Sequence, residues 1–233
     1  MARKSLVSVV ADGLLDRIVS GAIGIDEGLP SEAVVGAEFD VSRVTVREAV
    51  RSLTAQGVVR VVSGKGSFVN PVAQWESLDA VLRYISTSGI DGDVALQLIE
   101  VRRMFETSAA ALAAGRRTDA DLTELDRLLG EMRAAHESAD VDRFVVADLA
   151  FHNVILHASG NVFLGVLFEP LTRVLADRRA QTSRVPQIQK NAIEQHALVA
   201  EALRTGESDA ARAAMDSHMD QTLDDLRHYV LGS

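Results

Sequence analysis

Val41–Gly57, reading Val-Ser-Arg-Val-Thr-Val-Arg-Glu-Ala-Val-Arg-Ser-Leu-Thr-Ala-Gln-Gly, decides the fold of the first part of the chain. Ser42 can accept the first free amides of a helix. Val46, Ala49, Val50 and Leu53 recur at helical spacing, and Gly57 stops the run. At about 100° per residue, Arg43, Arg47 and Arg51 fall within about 80° of one another, so three guanidinium groups form a stripe beside the apolar face. A short helix with arginines from its first turn onward suits a DNA major groove, where early side chains reach base edges and later ones reach phosphates. A solvated surface helix would look the same in isolation, so the flanking sequence must decide.

Upstream, Val7, Val10, Leu14 and Ile18 mark a first amphipathic helix, and Gly28-Leu29-Pro30-Ser31-Glu32 supplies a turn and a new N-cap. A short second helix then runs to Phe39, and Asp40 turns the chain into the arginine helix, giving a helix-turn-helix with the third helix as reader. Downstream, Val58–Val62 and Ser67–Val69 are β-prone runs joined by Ser63-Gly64-Lys65-Gly66, the pattern of a small hairpin. Its tip places Lys65 where it can touch a phosphate or enter the minor groove, although a plain hairpin turn has the same pattern.

The order Leu-Pro-Ser-Glu, Val-Ser-Arg-x-x-Val-Arg-Glu-Ala-Val, then Gly-x-Gly-x-Phe-Val resembles the winged-helix domain of GntR-family transcription regulators, over residues 5 to 70. The resemblance implies DNA contacts from Arg43, Val44, Thr45, Arg47, Lys65 and Gly66, and Arg51 completes the stripe. Two departures stand out. Ala33 follows the Pro-Ser-Glu where the family often has an arginine, and Val44 replaces a commoner polar residue, leaving only a thymine methyl for it to favour.

The chain has 233 residues, 47% of them hydrophobic, four prolines and no cysteine. That is enough for two modest cores and excludes disulfides and thiolate chemistry. No basic-then-apolar leader and no apolar run of about 18 residues occurs, so a cytoplasmic protein without a membrane span is expected. The net charge of −9 divides unevenly: residues 1–70 hold eight basic and eight acidic side chains, residues 71–233 hold 16 and 25. Between Val41 and Lys65 five basic residues face one acid, Glu48, which is the local patch that phosphate binding requires.

The expected organisation is a winged helix-turn-helix at 1–70, a linker at 71–75 and an all-helical domain at 76–233, hence a mostly α fold with one small β-hairpin. Apolar residues at helical period mark segments near 77–87, 92–114, 119–135, 140–158, 162–181, 187–205 and 208–229. Turn signals at Ser88-Gly89, Gly115, Ser159-Gly160-Asn161, Pro186 and Thr205-Gly206 separate them, and the reading is a bundle of roughly six or seven helices.

Its chemistry lies in polar residues on apolar faces. Asp148 and His152 sit one turn apart among Val141, Phe144, Val145, Leu149 and Ile155. His196 is surrounded by Ile188, Ala192, Ile193, Val199 and Leu203, and His218 shares a side with Ala211, Ala214 and Met215. A single buried histidine reads first as a hydrogen-bonded core residue. Three with an aspartate favour a metal, which satisfies all four at once.

This second part, residues 76–233, resembles the FCD domain of FadR-type GntR regulators. The resemblance rests on Asp148-Leu-Ala-Phe-His152 followed by Ser159-Gly-Asn, on Gln195-His196 leading to Ala202-Leu-x-x-Gly206, and on Ala214-Met-x-x-His218. It implies a divalent metal on Asp148, His152, His196 and His218, zinc first, with nickel or manganese as alternatives. It also implies a small carboxylate effector held by Arg102; without the resemblance, Arg102 reads equally well as an ion pair with Glu106 at i,i+4. Trp75–Arg83 is similar to a segment of family members that sense sugar acids such as galactonate or gluconate. The expectation is a homodimeric repressor of palindromic operator DNA, released by its effector, and not an enzyme. A regulator with a purely structural metal and a helical metalloenzyme are the alternatives.

Overall fold

The computed structural model describes residues 4–87 and 92–232. Its contacts divide the chain into two compact units, Met1–Ile90 and Asp91–Ser233.

In the first unit, α1 (Leu6–Val19), α2 (Glu32–Glu38) and α3 (Arg43–Ala55) each begin at a serine. The hydroxyls of Ser5, Ser31 and Ser42 accept from the amides of Ser8, Val34 and Thr45, so each helix satisfies one of its free first-turn donors. The turn between α2 and α3 depends on Asp40, whose φ of 52° lets the Val41 amide bond back to the Gly36 carbonyl. Strands β1 (Val59–Val62) and β2 (Gly66–Val69) pair antiparallel, with Val59 opposite Val69 and Val62 opposite Gly66. Leu14, Val46, Leu53, Val58 and Val69 form the centre of this core. The winged helix-turn-helix and its hairpin are therefore as the sequence indicates.

Beyond the hairpin the first unit continues. Within 71–75 lies a 3-10 turn, Val72–Gln74, and Trp75 is buried, its indole N–H donating to the Asn70 carbonyl at 3.0 Å. Helix α4 (Leu78–Thr87) packs on α1, with Ala80 fully buried in the first core and Tyr84 edge-on to Trp75. The amphipathic pattern of 77–87 gives a helix correctly, but periodicity carries no information about which core an apolar face joins.

The second unit is helical: α5 (Gly92–Ala114), α6 (Asp119–Glu137), α7 (Val141–Ala158), α8 (Val162–Thr182), α9 (Pro186–Thr205) and α10 (Ser208–Asp225). Thr118 and Asp121 form a reciprocal capping box at the start of α6, and Pro186 occupies the first turn of α9, where its missing N–H costs nothing. The last helix was expected to 229; the α-helix ends at Asp225 and a π-helical turn, Leu226–Leu231, follows. Helix α5 packs against α10 and α7. Helix α6 packs on α7 and α9, and α8 on α7, so the inward faces of α5, α7, α9 and α10 meet at one centre.

Gly57 ends α3 at φ 71°, and a Cβ there would stand 2.5 Å from the Gln74 carbonyl oxygen and 3.0 Å from the Glu76 nitrogen. Both obstacles are backbone. Gly57→Ala is expected to destabilise the first unit by about 1–3 kcal/mol, read as a lowered thermal midpoint. An unchanged midpoint would mean that the 72–76 segment is not held against α3.

A buried histidine cluster and an exposed arginine helix

The second unit brings together all four residues expected to ligate a metal. Asp148, His152, His196 and His218 are buried, and one nitrogen from each histidine falls within a 4.8 Å set. Nε2 of His152 and Nε2 of His196 lie 3.0 Å apart, and Oδ1 of Asp148 is 3.5 Å from the latter and 4.0 Å from the former. Asp148 and His152 reach one point because they are a single turn apart on α7. Phe151, fully buried between them in sequence, packs its ring 4.5 Å from that of His196 and helps fix its position.

Both ring nitrogens of His218 are buried without a hydrogen-bond partner among the described residues. A neutral imidazole has one donor and one lone pair, and leaving either unmet in a core costs about 1–3 kcal/mol. A divalent cation at the convergence point would take the lone pair, so this donor set fits such an ion; three imidazoles and a carboxylate suit zinc and its neighbours. Burial, reinforced by the positive potential of His196 and His152, holds the His218 pKa well below the usual imidazole value. Burial, with His152 and Arg179, does the same for His196. Both therefore stay neutral, the state in which imidazole ligates.

Arg102 is buried on α5 and its Nε donates to Oε1 of Glu106 at 2.7 Å, so the i,i+4 ion pair is present. Its Nη2 is buried and has no hydrogen-bond partner among the described residues. Arg102 lines a cavity of about 110 Å³ together with Asp148 and His218 of the cluster, Arg179 of α8, and apolar walls that include Leu98 and Phe144. Arg102 and the histidine cluster thus border one space.

Arg179, and the second contact of Glu106, escaped the sequence reading. Glu106 is fully buried, with Oε2 2.5 Å from Nδ1 of His152. Burial opposes its charge, but Arg102, His152 and Arg179 outweigh that and hold its pKa well below the carboxylate norm. Arg179 contacts Oδ2 of Asp148, and burial, with repulsion from Arg102, lowers its pKa. A carboxylate four residues after Arg102 was legible as a helix pair; its second contact, to a histidine on another helix, was not. The other three histidines have ordinary roles: Nδ1 of His136 meets Gln189 at 2.8 Å, Nδ1 of His157 meets the Asn153 carbonyl at 2.8 Å, and the His228 ring stands edge-on to Tyr229 at 4.5 Å.

In the first unit, Arg43 and Val44 stand exposed in the first turn of α3, Val44 at 67%. The Thr45 hydroxyl lies 3.0 Å from that of Ser42 and so belongs partly to the cap. Arg47 is held in a two-pronged ion pair by Glu32 at 3.0 and 2.8 Å, and Arg51 pairs with Glu48 at 2.7 Å. The stripe is present, but two of its three arginines carry acidic partners. Arg60, counted in the basic patch, instead braces the wing base through Asp26, Asn70 and the Val69 carbonyl. Lys65 is exposed at the hairpin tip beside Gly64 and Gly66, whose φ values of 72° and 111° explain the glycines.

Comparison with known proteins agrees with both halves. Residues 6–69 match the bacterial regulatory proteins of the gntR family, and residues 97–221 match the FCD domain. The chain is 31% identical over 204 residues to the galactonate operon transcriptional repressor of Escherichia coli K12, covering 85% of this chain and 86% of that one. It is 30% identical to the transcriptional regulator LutR of Bacillus subtilis, over 91% and 97% of the two chains. The solved structure of Lar, which controls expression of the Listeria monocytogenes agr system, shares the fold. It has a TM-score of 0.60 at 23% identity, covering 97% of this chain and 99% of that one. No helix among the described residues is long and apolar enough to cross a membrane. With a winged helix-turn-helix ahead of an FCD domain, this chain is a member of the GntR family of bacterial transcriptional regulators and not an enzyme.

Proposed function

We propose that the protein is a metabolite-responsive repressor of the FadR type, whose second unit binds a divalent metal and a small carboxylate and releases operator DNA in response. The observation that carries this reading is the buried, unpartnered Nη2 of Arg102 in a cavity that Asp148 and His218 also border. A carboxylate there would meet a guanidinium edge. Asp148, His152, His196 and His218 would hold the metal, zinc first, which when bound supplies a Lewis-acidic position for a ligand oxygen. The relative named for the galactonate operon makes hexonates the first candidates. Any ligand that prefers one arrangement of the helices shifts the protein toward it by its difference in affinity, and that difference is what changes the grip on DNA.

A thermal-melt panel tests this reading. Metal-loaded protein is scanned against hexonates and lactate with His152→Ala as control. One hydroxy acid at about a hundred times its dissociation constant should add about 2.7 kcal/mol of stability, and the gain should vanish in the variant and in Arg102→Ala. If chelator collapses the melt but no acid raises it, the metal is structural and the sensing reading falls.

On DNA, the residues assigned are Arg43, Val44, Thr45, Arg47 and Arg51 on α3, with Lys65 and Gly66 in the wing. Lys65→Ala is expected to reduce the slope of log affinity against log salt by about one while weakening binding to all sequences alike. Arg43→Ala is expected to lose about 1–3 kcal/mol and relax the preferred sequence at one position. Both are measured by anisotropy on duplexes selected from a random pool. An unaltered salt slope for Lys65→Ala would take the wing off the backbone.

The repressor is read as a homodimer on a palindromic site. Val162 and Val166 of α8, 73% and 66% exposed, line an open groove with Leu149 and Ala150 of α7, and a second copy would bury this surface. Val166→Asp should move sedimentation from dimer to monomer; a dimer that tolerates the charge would place the interface elsewhere.

A further inference from the structure

In the second unit, close polar contacts run in series from Arg102 through Glu106 to the histidine cluster, the middle one a short carboxylate–imidazole approach. Nε of Arg102 donates to Oε1 of Glu106 at 2.7 Å, and Oε2 of the same carboxylate stands 2.5 Å from Nδ1 of His152. At the other side of that ring, Nε2 lies 3.0 Å from Nε2 of His196. Glu106 and His152 are each at most 3% exposed, so neither has water as an alternative partner. We propose that Glu106 is a positioning residue: it fixes the proton of His152 on Nδ1, aims the Nε2 lone pair at the metal position, and ties that ligand to Arg102. This rests on the metal reading given above.

The chemistry of the pair gives it content. An ionised carboxylate only accepts, so both of its neighbours must donate, Arg102 through Nε and His152 through Nδ1. A His152 ring whose one proton sits on Nδ1 presents its lone pair on Nε2, the atom in the cluster. A glutamine in place of Glu106 offers one oxygen and one amide nitrogen. With the oxygen facing Arg102, the amide donates to Nδ1, the ring proton moves to Nε2, and the ligand atom is blocked. With the oxygen facing His152, an amide N–H confronts the Arg102 N–H and the arginine loses its anchor in the cavity. Either way Glu106→Gln breaks one end of the chain, whereas Glu106→Asp keeps an acceptor for both. Carboxylates behind metal-bound histidines commonly tune affinity by ten- to a hundredfold.

The experiment uses the full chain as wild type, Glu106→Gln and Glu106→Asp, with two readouts. In metal-free protein, ¹⁵N chemical shifts of the His152 ring report which nitrogen carries the proton. Zn²⁺ affinity is then measured by competition with a chelating indicator. Expected are an Nδ1–H tautomer in wild type, its loss in Glu106→Gln with a ten- to hundredfold weaker hold on Zn²⁺, and a return toward wild type in Glu106→Asp. Circular-dichroism melts of the metal-free proteins check that each variant folds; if Glu106→Gln does not, Glu106→Asp and the wild-type tautomer still decide. An Nε2–H tautomer in wild type, or Zn²⁺ affinity unchanged in folded Glu106→Gln, overturns the proposal. Absence of Zn²⁺ binding in wild type overturns the metal reading instead, and leaves the tautomer to report on Glu106 alone.

Discussion

The second unit is organised around a cost: two carboxylates and two guanidinium groups removed from water. Glu106 and Asp148 are almost fully buried, and so are the polar ends of Arg102 and Arg179. No isolated charge survives there, because desolvation far exceeds what a single contact returns; each must be faced by an opposite charge. Arg102 faces Glu106, Arg179 faces Asp148, and the three imidazoles fill the remaining space with His196 and His218 kept neutral by burial. The pairing dictates that α5, α7, α8, α9 and α10 converge. Removing one member strands its partner, which is a larger loss than the contact itself.

That arrangement separates what sequence could disclose from what it could not. Asp148 and His152 were legible because their spacing on one helix puts both on a face that Phe144, Val145 and Ile155 mark as inward. His196 and His218 were legible for the same reason on α9 and α10, each an unpaired polar group among apolar neighbours. Arg179 was not legible: helix α8 has no clean apolar stripe, and an arginine near its end reads as an ordinary surface residue. Glu106 was seen only as the i,i+4 partner of Arg102, since periodicity describes one helix at a time and His152 belongs to another.

The first unit shows the same limit at a different scale. The caps at Ser31 and Ser42, the Asp40 turn and the glycine-bracketed hairpin are local, and each formed where its residues indicated. The reach of the unit to α4 is a tertiary fact. Trp75 lies in the stretch expected to be a linker, yet its indole is buried and bonded to Asn70, and this draws the following helix onto α1. A lone tryptophan after a proline reads equally as a hinge or as an anchor, and only the core it enters distinguishes them.

The ion pairs on α3 bear on how the protein finds its site. Arg47 is gripped by Glu32 and Arg51 by Glu48, so a phosphate that recruits either must displace a carboxylate already in place. On the proposed assignment of α3 to DNA, attraction to arbitrary duplex would be weaker than three free arginines suggest, by no more than such exposed pairs are worth. Only a sequence that also satisfies the exposed first turn of the helix makes up the difference. If α3 reads DNA as proposed, dwell on irrelevant DNA would be shortened and the fraction of molecules free to search raised, so that hold is traded for speed of sampling.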